Sequence, residues 1–333
     1  MFKKKISLPV AILMTIAGIA VGFLAVSFVK QSAAAAEPIS VQTLSSCMPD
    51  QKRLSGYEYI KPLLFADRLC ESEKLAGVKS RVSEILNNYK VTGTIQTGSV
   101  YLRQLNQGDW ISVGDPDKYF PGSLLKVPEL ITFFKMNEKA PGLLDRKVTY
   151  ERALNLPKQA HIVSKSIEVG KTYTIKELLY YMIAYSDNNA TMLLNQRMDL
   201  DLFSKVFTDL GIAKPDLTAK DIPITAKEYS YFLRVLYNAS YLNIQDSEFC
   251  TELLSHSDFV QGMISGLPQG TKTAHKFGEA GEGADSYFSE SGIIYVQNSP
   301  YLLTVMTKGK DRSALPAVIS DISKKVFELI NSI

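Results

Sequence analysis

The sequence predicts an α+β domain in which terminal helices flank one antiparallel five-stranded sheet and an all-helical subdomain is inserted between its strands. Three observations carry the prediction. Apolar residues recur at helical spacing just after residue 71, period-two stretches follow directly, and such stretches return only near the end of the chain. A helical block separates the two groups of strands, so one sheet drawing on both groups must carry helices on both faces.

Each element has its own signal. Leu75, Val78, Val82, Ile85, Leu86 and Tyr89 define the apolar face of the first helix. Strands over 93–105 and 109–114 follow, joined by a tight turn at Asn106-Gln107-Gly108. In the helical block, Thr174 with Glu177 makes a capping box ahead of Ile175, Leu178, Leu179, Met182 and Ile183. Further helices begin near Asn189 and Asp199, the latter stopping at Gly211, and at Thr225, which forms a second capping box with Glu228. Strands over 273–279, 290–296 and 301–308 precede a last helix bearing Val318, Ile319, Ile322, Val326 and Ile330. The first and last helices are expected on one face of the sheet and the helical block on the other.

Composition narrows the function. The 333 residues are 46% hydrophobic and 21% charged with a net charge of +3, as suits a globular protein with a sizeable core. No basic stripe interleaved with aromatics is present, which excludes nucleic acid as the expected partner. His161, His256 and His275 lie far apart and the three cysteines form no close pairs, so neither a metal nor another cofactor is expected.

The amino terminus differs in kind. Lys3, Lys4 and Lys5 precede an uncharged apolar run over 6–29 that is closed by Lys30. Its length suits a spanning helix, and the lysines favour a cytoplasmic N-terminus. Ala33 to Ala36 leave a cleaved signal as the alternative. The expected organisation is a cytoplasmic tail over 1–5, a transmembrane anchor or signal over 6–29, a linker and pre-domain segment over 30–71, and the catalytic domain over 72–333. That makes a single-pass membrane protein with an extracytoplasmic domain, or a secreted one if the signal is cleaved. In that compartment a Cys47–Cys70 disulfide is available and three unpaired thiols are equally so.

Three short motifs carry chemistry. In Phe120-Pro121-Gly122-Ser123-Leu124-Leu125-Lys126, Pro-Gly breaks the chain before a helix, so Ser123 falls on its first turn with Lys126 on the same face. A serine hydroxyl needs an adjacent base, and a lysine serves as one only where burial or a neighbouring cation lowers its pKa. Pro128 predicts a kink in that helix. Ser-x-x-Lys alone is weak, since Ser27 and Lys30 repeat it inside the apolar run. Ser186-Asp187-Asn188, however, follows Ser123 by 63 residues at the end of the best-capped helix, and His275-Lys276-Phe277-Gly278 follows in a strand pattern.

In this order and on these elements, the motifs resemble the Ser-x-x-Lys, Ser-Asp-Asn and Lys-Thr-Gly signatures of the serine β-lactamase and penicillin-binding protein superfamily, in its class A β-lactamase branch. The resemblance runs over about 72–333. It implies Ser123 as nucleophile, Lys126 as base or proton relay, and Ser186 as proton donor to the leaving nitrogen. It also implies that Asn188 holds the substrate amide and that Lys276 supplies positive charge. The backbone N–H groups of Ser123 and of Glu279, after Gly278, would form an oxyanion hole.

Two departures from the pattern bear on activity. Phe277 replaces the threonine and offers no hydroxyl to a substrate carboxylate. Between residues 210 and 225 no Glu-x-x-Leu-Asn pattern supplies the carboxylate that activates water in class A enzymes; Asp216 and Asp221 read as turn and cap residues. The expected function is thus an exported serine acyl-transfer hydrolase acting on D-alanyl peptides or β-lactams, with slow deacylation. A true β-lactamase is the close alternative, and a non-catalytic binding member, motivated by Phe277, is a second.

Overall fold

A computed structural model describes residues 47–153, 164–219, 221–297 and 299–332. In chain order the elements are β1 (Pro49–Arg53), β2 (Leu63–Arg68), α1 (Ala76–Val91), β3 (Thr97–Gln104), β4 (Trp110–Val113), α2 (Lys126–Lys139), β5 (Lys147–Thr149), β6 (Thr172–Thr174), α3 (Ile175–Ala184), α4 (Asn188–Asn195), α5 (Leu200–Asp209), α6 (Ala226–Tyr237), α7 (Ile244–Ser255), β7 (Lys272–Ala280), β8 (Ser286–Tyr295), β9 (Tyr301–Gly309) and α8 (Leu315–Ile330). The expected transmembrane or signal segment over 6–29 lies outside the described residues, as does His161. Among the described residues no helix is long and apolar enough to cross a membrane.

The main sheet has the order β4-β3-β9-β8-β7, and every neighbouring pair is antiparallel. Both groups of strands therefore enter one sheet, as the sequence predicted, with β9 docking on β3 across the whole length of the inserted block. Alternation along the strands divides their side chains between two cores. Val100, Leu102, Phe288, Leu303 and Val305 meet Val82 and Leu86 of α1 and Val318 and Ile322 of α8. On the opposite face Tyr101, Ile293, Leu302 and Met306 join the core of the helical block.

Both capping boxes form. Thr174 Oγ1 accepts from Glu177 N at 3.1 Å while Glu177 Oε2 accepts from Thr174 N at 2.7 Å, and Thr225 and Glu228 repeat the arrangement at 3.1 and 3.0 Å. The helix at Asp199 starts with that side chain accepting from Leu202 N, and Gly211 follows its end with φ +75°.

One expectation needs correction, and one open choice is decided. Residues 49–68, read from the sequence as part of a linker and pre-domain segment with no assigned strands, form the hairpin β1–β2, which buries Leu64 and Phe65 in the helical-block core. β1, Pro49-Asp50-Gln51-Lys52-Arg53, offers no apolar alternation to mark a strand, and the hairpin is held by partners distant in the chain. Cys47 and Cys70 are disulfide-bonded, which settles the choice against three thiols, and Cys250 is a free buried thiol.

The hairpin is tied down by charge as well. Asp67 receives a two-pronged contact from Arg234, at 2.7 and 2.9 Å, and pairs with Arg103 at 2.8 Å. Both arginine side chains are buried. Replacing Asp67→Ala leaves two guanidinium groups without their counter-charge, at a cost of about 3–5 kcal/mol. Urea unfolding of the variant should show that loss; a change below roughly 1 kcal/mol would mean that hairpin and charges contribute little.

Candidate active site

The site lies along β7, the edge strand of the sheet, where its outer side faces a turn of 3-10 helix, Gly122–Leu125. Ser123 sits in this turn, half-buried, and α2 begins only at Lys126. The expected kink at Pro128 is replaced by this change of helix type. Pro128 falls in the first turn of α2, where its missing N–H would have had no helical partner anyway.

Two glycines set how closely turn and strand approach. Gly122 has φ +54°, and a Cβ there would stand 2.1 Å from Glu279 O. A Cβ on Gly278 would meet Pro121 O at 2.1 Å and Leu124 N at 2.6 Å. The segment bearing Ser123 thus rests directly on the backbone of Gly278 and Glu279. From the helical side, the buried Tyr229 hydroxyl donates to Leu124 O at 2.9 Å and fixes the same turn.

Lys126 is 3% exposed and turns inward. Its ammonium donates to Ser186 O at 2.7 Å, Ser186 Oγ at 3.1 Å and Asn188 Oδ1 at 2.8 Å. Lys276, fully buried, reaches the same Ser186 Oγ from β7 at 2.9 Å and donates to Phe277 O at 3.0 Å. Residues far apart in the chain thus converge on one hydroxyl. Burial pulls the Lys126 amine down to about 8, against the opposing effect of the Glu129, Asp187 and Glu279 carboxylates. Burial, and then the charge of Lys126, push Lys276 well below the ordinary lysine value. A hydroxyl between two amines with lowered pKa can accept a proton from one side and pass one to the other.

Ser186 holds this position in a left-handed conformation, φ +54°, which is uncommon outside glycine and costs about 1–3 kcal/mol. Asp187 supports it. Its carboxylate caps α4 through Asn189 N at 3.0 Å and accepts from Ser166 Oγ and Ile167 N, each at 2.9 Å. The resemblance named Asp187 only as part of a motif; its buried tethering of residues 166–167 needed the structure.

Phe277, expected among the substrate-binding residues, is buried on the terminal-helix face, with its ring stacked on Phe259 at 4.1 Å between centroids. Strand alternation explains this: Lys276 faces the helical block and its neighbour faces the other core. The ring bears on the site through the Lys276 ammonium, 4.2 Å from its centroid. Asp216 is exposed and accepts from Thr218 N and Oγ1, as a turn residue does.

One buried acid was missed. Glu129, three residues beyond Lys126 on α2, is 8% exposed, and burial raises its carboxyl to about 7. The signal was available as the only charge in the apolar run over 127–134.

Comparisons with known proteins bear on the family and the fold. The β-lactamase enzyme family matches residues 77–330. Among solved structures, PBP-A superposes with TM-score 0.66 at 18% identity, over 80% of this chain and all of its own, and a mutant of it has been solved as an acyl-enzyme complex with penicillin G. A class A β-lactamase from Mycobacterium abscessus gives TM-score 0.65 at 20% identity, over 76% of this chain and 99% of its own. The β-lactamase from Sphaerobacter thermophilus gives 0.67 at 18%, over 76% and 97%. No curated protein matches the sequence. Such low identities speak for the fold alone, whereas the family match spans most of the chain: this protein belongs to the β-lactamase enzyme family and is a serine hydrolase of that type.

Proposed function

We propose that the protein is an exported acyl-serine enzyme of the penicillin-binding kind, which takes D-alanyl peptides as substrates and is acylated by β-lactams. The observation that carries the reading is the convergence of Lys126 and Lys276 on the buried Ser186 hydroxyl, beside the turn that bears Ser123. Lys126 as the neutral amine accepts the Ser123 hydroxyl proton as Oγ bonds to the substrate carbonyl carbon. The N–H groups of Ser123 and Glu279, brought together by the glycine contacts, face the developing oxyanion. Ser186 gives its proton to the leaving nitrogen and regains one from Lys126. Lys276 keeps that hydroxyl polarised and, in its protonated form, supplies positive potential for a substrate carboxylate, and Asn188 holds the substrate amide.

Slow deacylation follows from the short segment over 210–225, where Asp216 is committed to its turn and no glutamate is present. The PBP-A mutant with its penicillin acyl-enzyme is a relative in fold that supports β-lactam binding here. Export is supported by the lysine-flanked apolar run over 6–29 and by the disulfide state of Cys47 and Cys70, which suits an oxidising compartment. There the first segment serves as anchor or signal.

Three outcomes test the reading. Benzylpenicillin should add its intact mass to the protein on Ser123 and remain for many minutes, while Ser123→Ala should show no adduct. A rapid return of the unmodified mass would identify a β-lactamase instead, and no adduct at all would favour the non-catalytic reading. Because Lys126 must be neutral to act and burial lowers its pKa to about 8, the acylation rate should rise about tenfold per unit from pH 6 and level off above pH 8. Gly278→Ala, whose methyl would overlap Pro121 O, should slow acylation by roughly 10²-fold through a displaced oxyanion hole, with the fold retained by circular dichroism.

A further inference from the structure

Glu129 poses a physical problem. A carboxylate removed from water normally collects several hydrogen bonds or a direct counter-ion. Here Oε1 accepts one long bond from Asn195 Nδ2 at 3.4 Å, and among the described residues Oε2 has no hydrogen-bond partner. Fold stability does not account for such an acid, since an apolar residue would pack at that place without the desolvation penalty.

Its position relative to Lys126 does. The two residues stand three apart on α2, on neighbouring faces one turn apart, and helical side chains lean toward the N-terminus. The Glu129 side chain therefore lies over the turn that carries Lys126. The same helix α4 serves both residues, since Asn188 at its start bonds Lys126 and Asn195 at its end bonds Glu129. The two side chains share no hydrogen bond, so the coupling between them acts through the water-poor interior, where a charge is felt more strongly than in solvent. Other charged groups bear on the pair as well. Asp187 and Glu279 favour the Lys126 ammonium and Lys276 faces it from β7, whereas Lys126 is the charge that bears on Glu129.

We propose that Glu129 is a positioning residue that sets the protonation state of Lys126. The inference rests on Lys126 as the base for Ser123. As a carboxylate, Glu129 stabilises the ammonium that forms when the Ser123 O–H bond breaks and the Lys126 N–H bond forms. It thereby strengthens the base, in a site that has no glutamate between residues 210 and 225. About 10 Å along the 3-10 turn and the start of α2, by rise per residue, separates its Cα from that of Ser123, so it acts through Lys126 rather than on the substrate.

The test is Glu129→Gln, read two ways. Without the carboxylate, the Lys126 ammonium loses support, so the acid limb of the penicillin acylation profile should move about one unit to lower pH. The plateau should fall roughly threefold, because a weaker base is left. A purely structural role would lower the plateau with the limb unmoved, and that result would overturn the proposal. Glu129→Asp, which keeps the charge, should return the limb toward its original position.

The second reading is independent of acylation. In protein labelled with ¹³Cε-lysine, the Lys126 resonance, assigned by its loss in Lys126→Arg, should titrate at lower pH in Glu129→Gln. That shift without any penicillin adduct would retain the coupling and reject the acyl-enzyme reading; an unshifted titration would reject the coupling itself. Should Glu129→Gln fail to fold, the wild-type resonance still decides. It should show a second inflection near pH 7 as Glu129 titrates, and a single inflection would count against the proposal.

Discussion

Two lysine amines donate to one buried serine oxygen, and the rest of this site is arranged around that contact. Lys126 arrives from the start of α2, Lys276 from the edge strand β7, and Ser186 from the link between α3 and α4. Two ammonium groups close together in a water-poor interior repel each other, so burial and mutual charge both press them toward the neutral form. The pocket that makes the lysines expensive to charge is the one that keeps an amine neutral, and so able to accept a proton, at ordinary pH. Ser186 must be offered to both at once, and its left-handed backbone is how the chain presents it.

Rigidity comes from places that do no chemistry. Asp187 ties the Ser186 loop to residues 166–167 and caps α4, so the residue directly after the strained Ser186 is held by four hydrogen bonds. Gly122 and Gly278 let the serine turn lie against β7 with no side chain between them. Tyr229 holds the same turn from the helical block. The sheet thereby acts as a fixed rail against which the helical block presents its polar groups.

The departures from the family pattern fit this arrangement. Phe277 adds its ring to a stack with Phe259 and Phe288 and places a π face near the Lys276 ammonium. The ring belongs to the core on the terminal-helix side and carries no hydrogen-bond donor. Glu129 places a buried carboxyl three residues beyond Lys126 on the same helix. Ser123, Lys126, Ser186 and Lys276 keep the family's residue types at their places, and the segment over 210–225 carries no glutamate.

The sequence by itself determined the α+β class, the order of elements and the motifs at Ser123, Ser186 and Lys276, because periodicity, capping boxes and short spacings are properties of neighbouring residues. It left the β1–β2 hairpin unread, since Asp67 finds its partners Arg103 and Arg234 far along the chain. It left open where the Phe277 ring lies, because the face on which a strand residue points depends on what packs against each side. Only the tertiary structure decided that Lys126 and Lys276 meet at a single oxygen, that Gly278 touches the serine turn, and that Glu129 is enclosed beside Lys126. Burial and through-space charge arise when distant segments close on one another, and no local pattern records them.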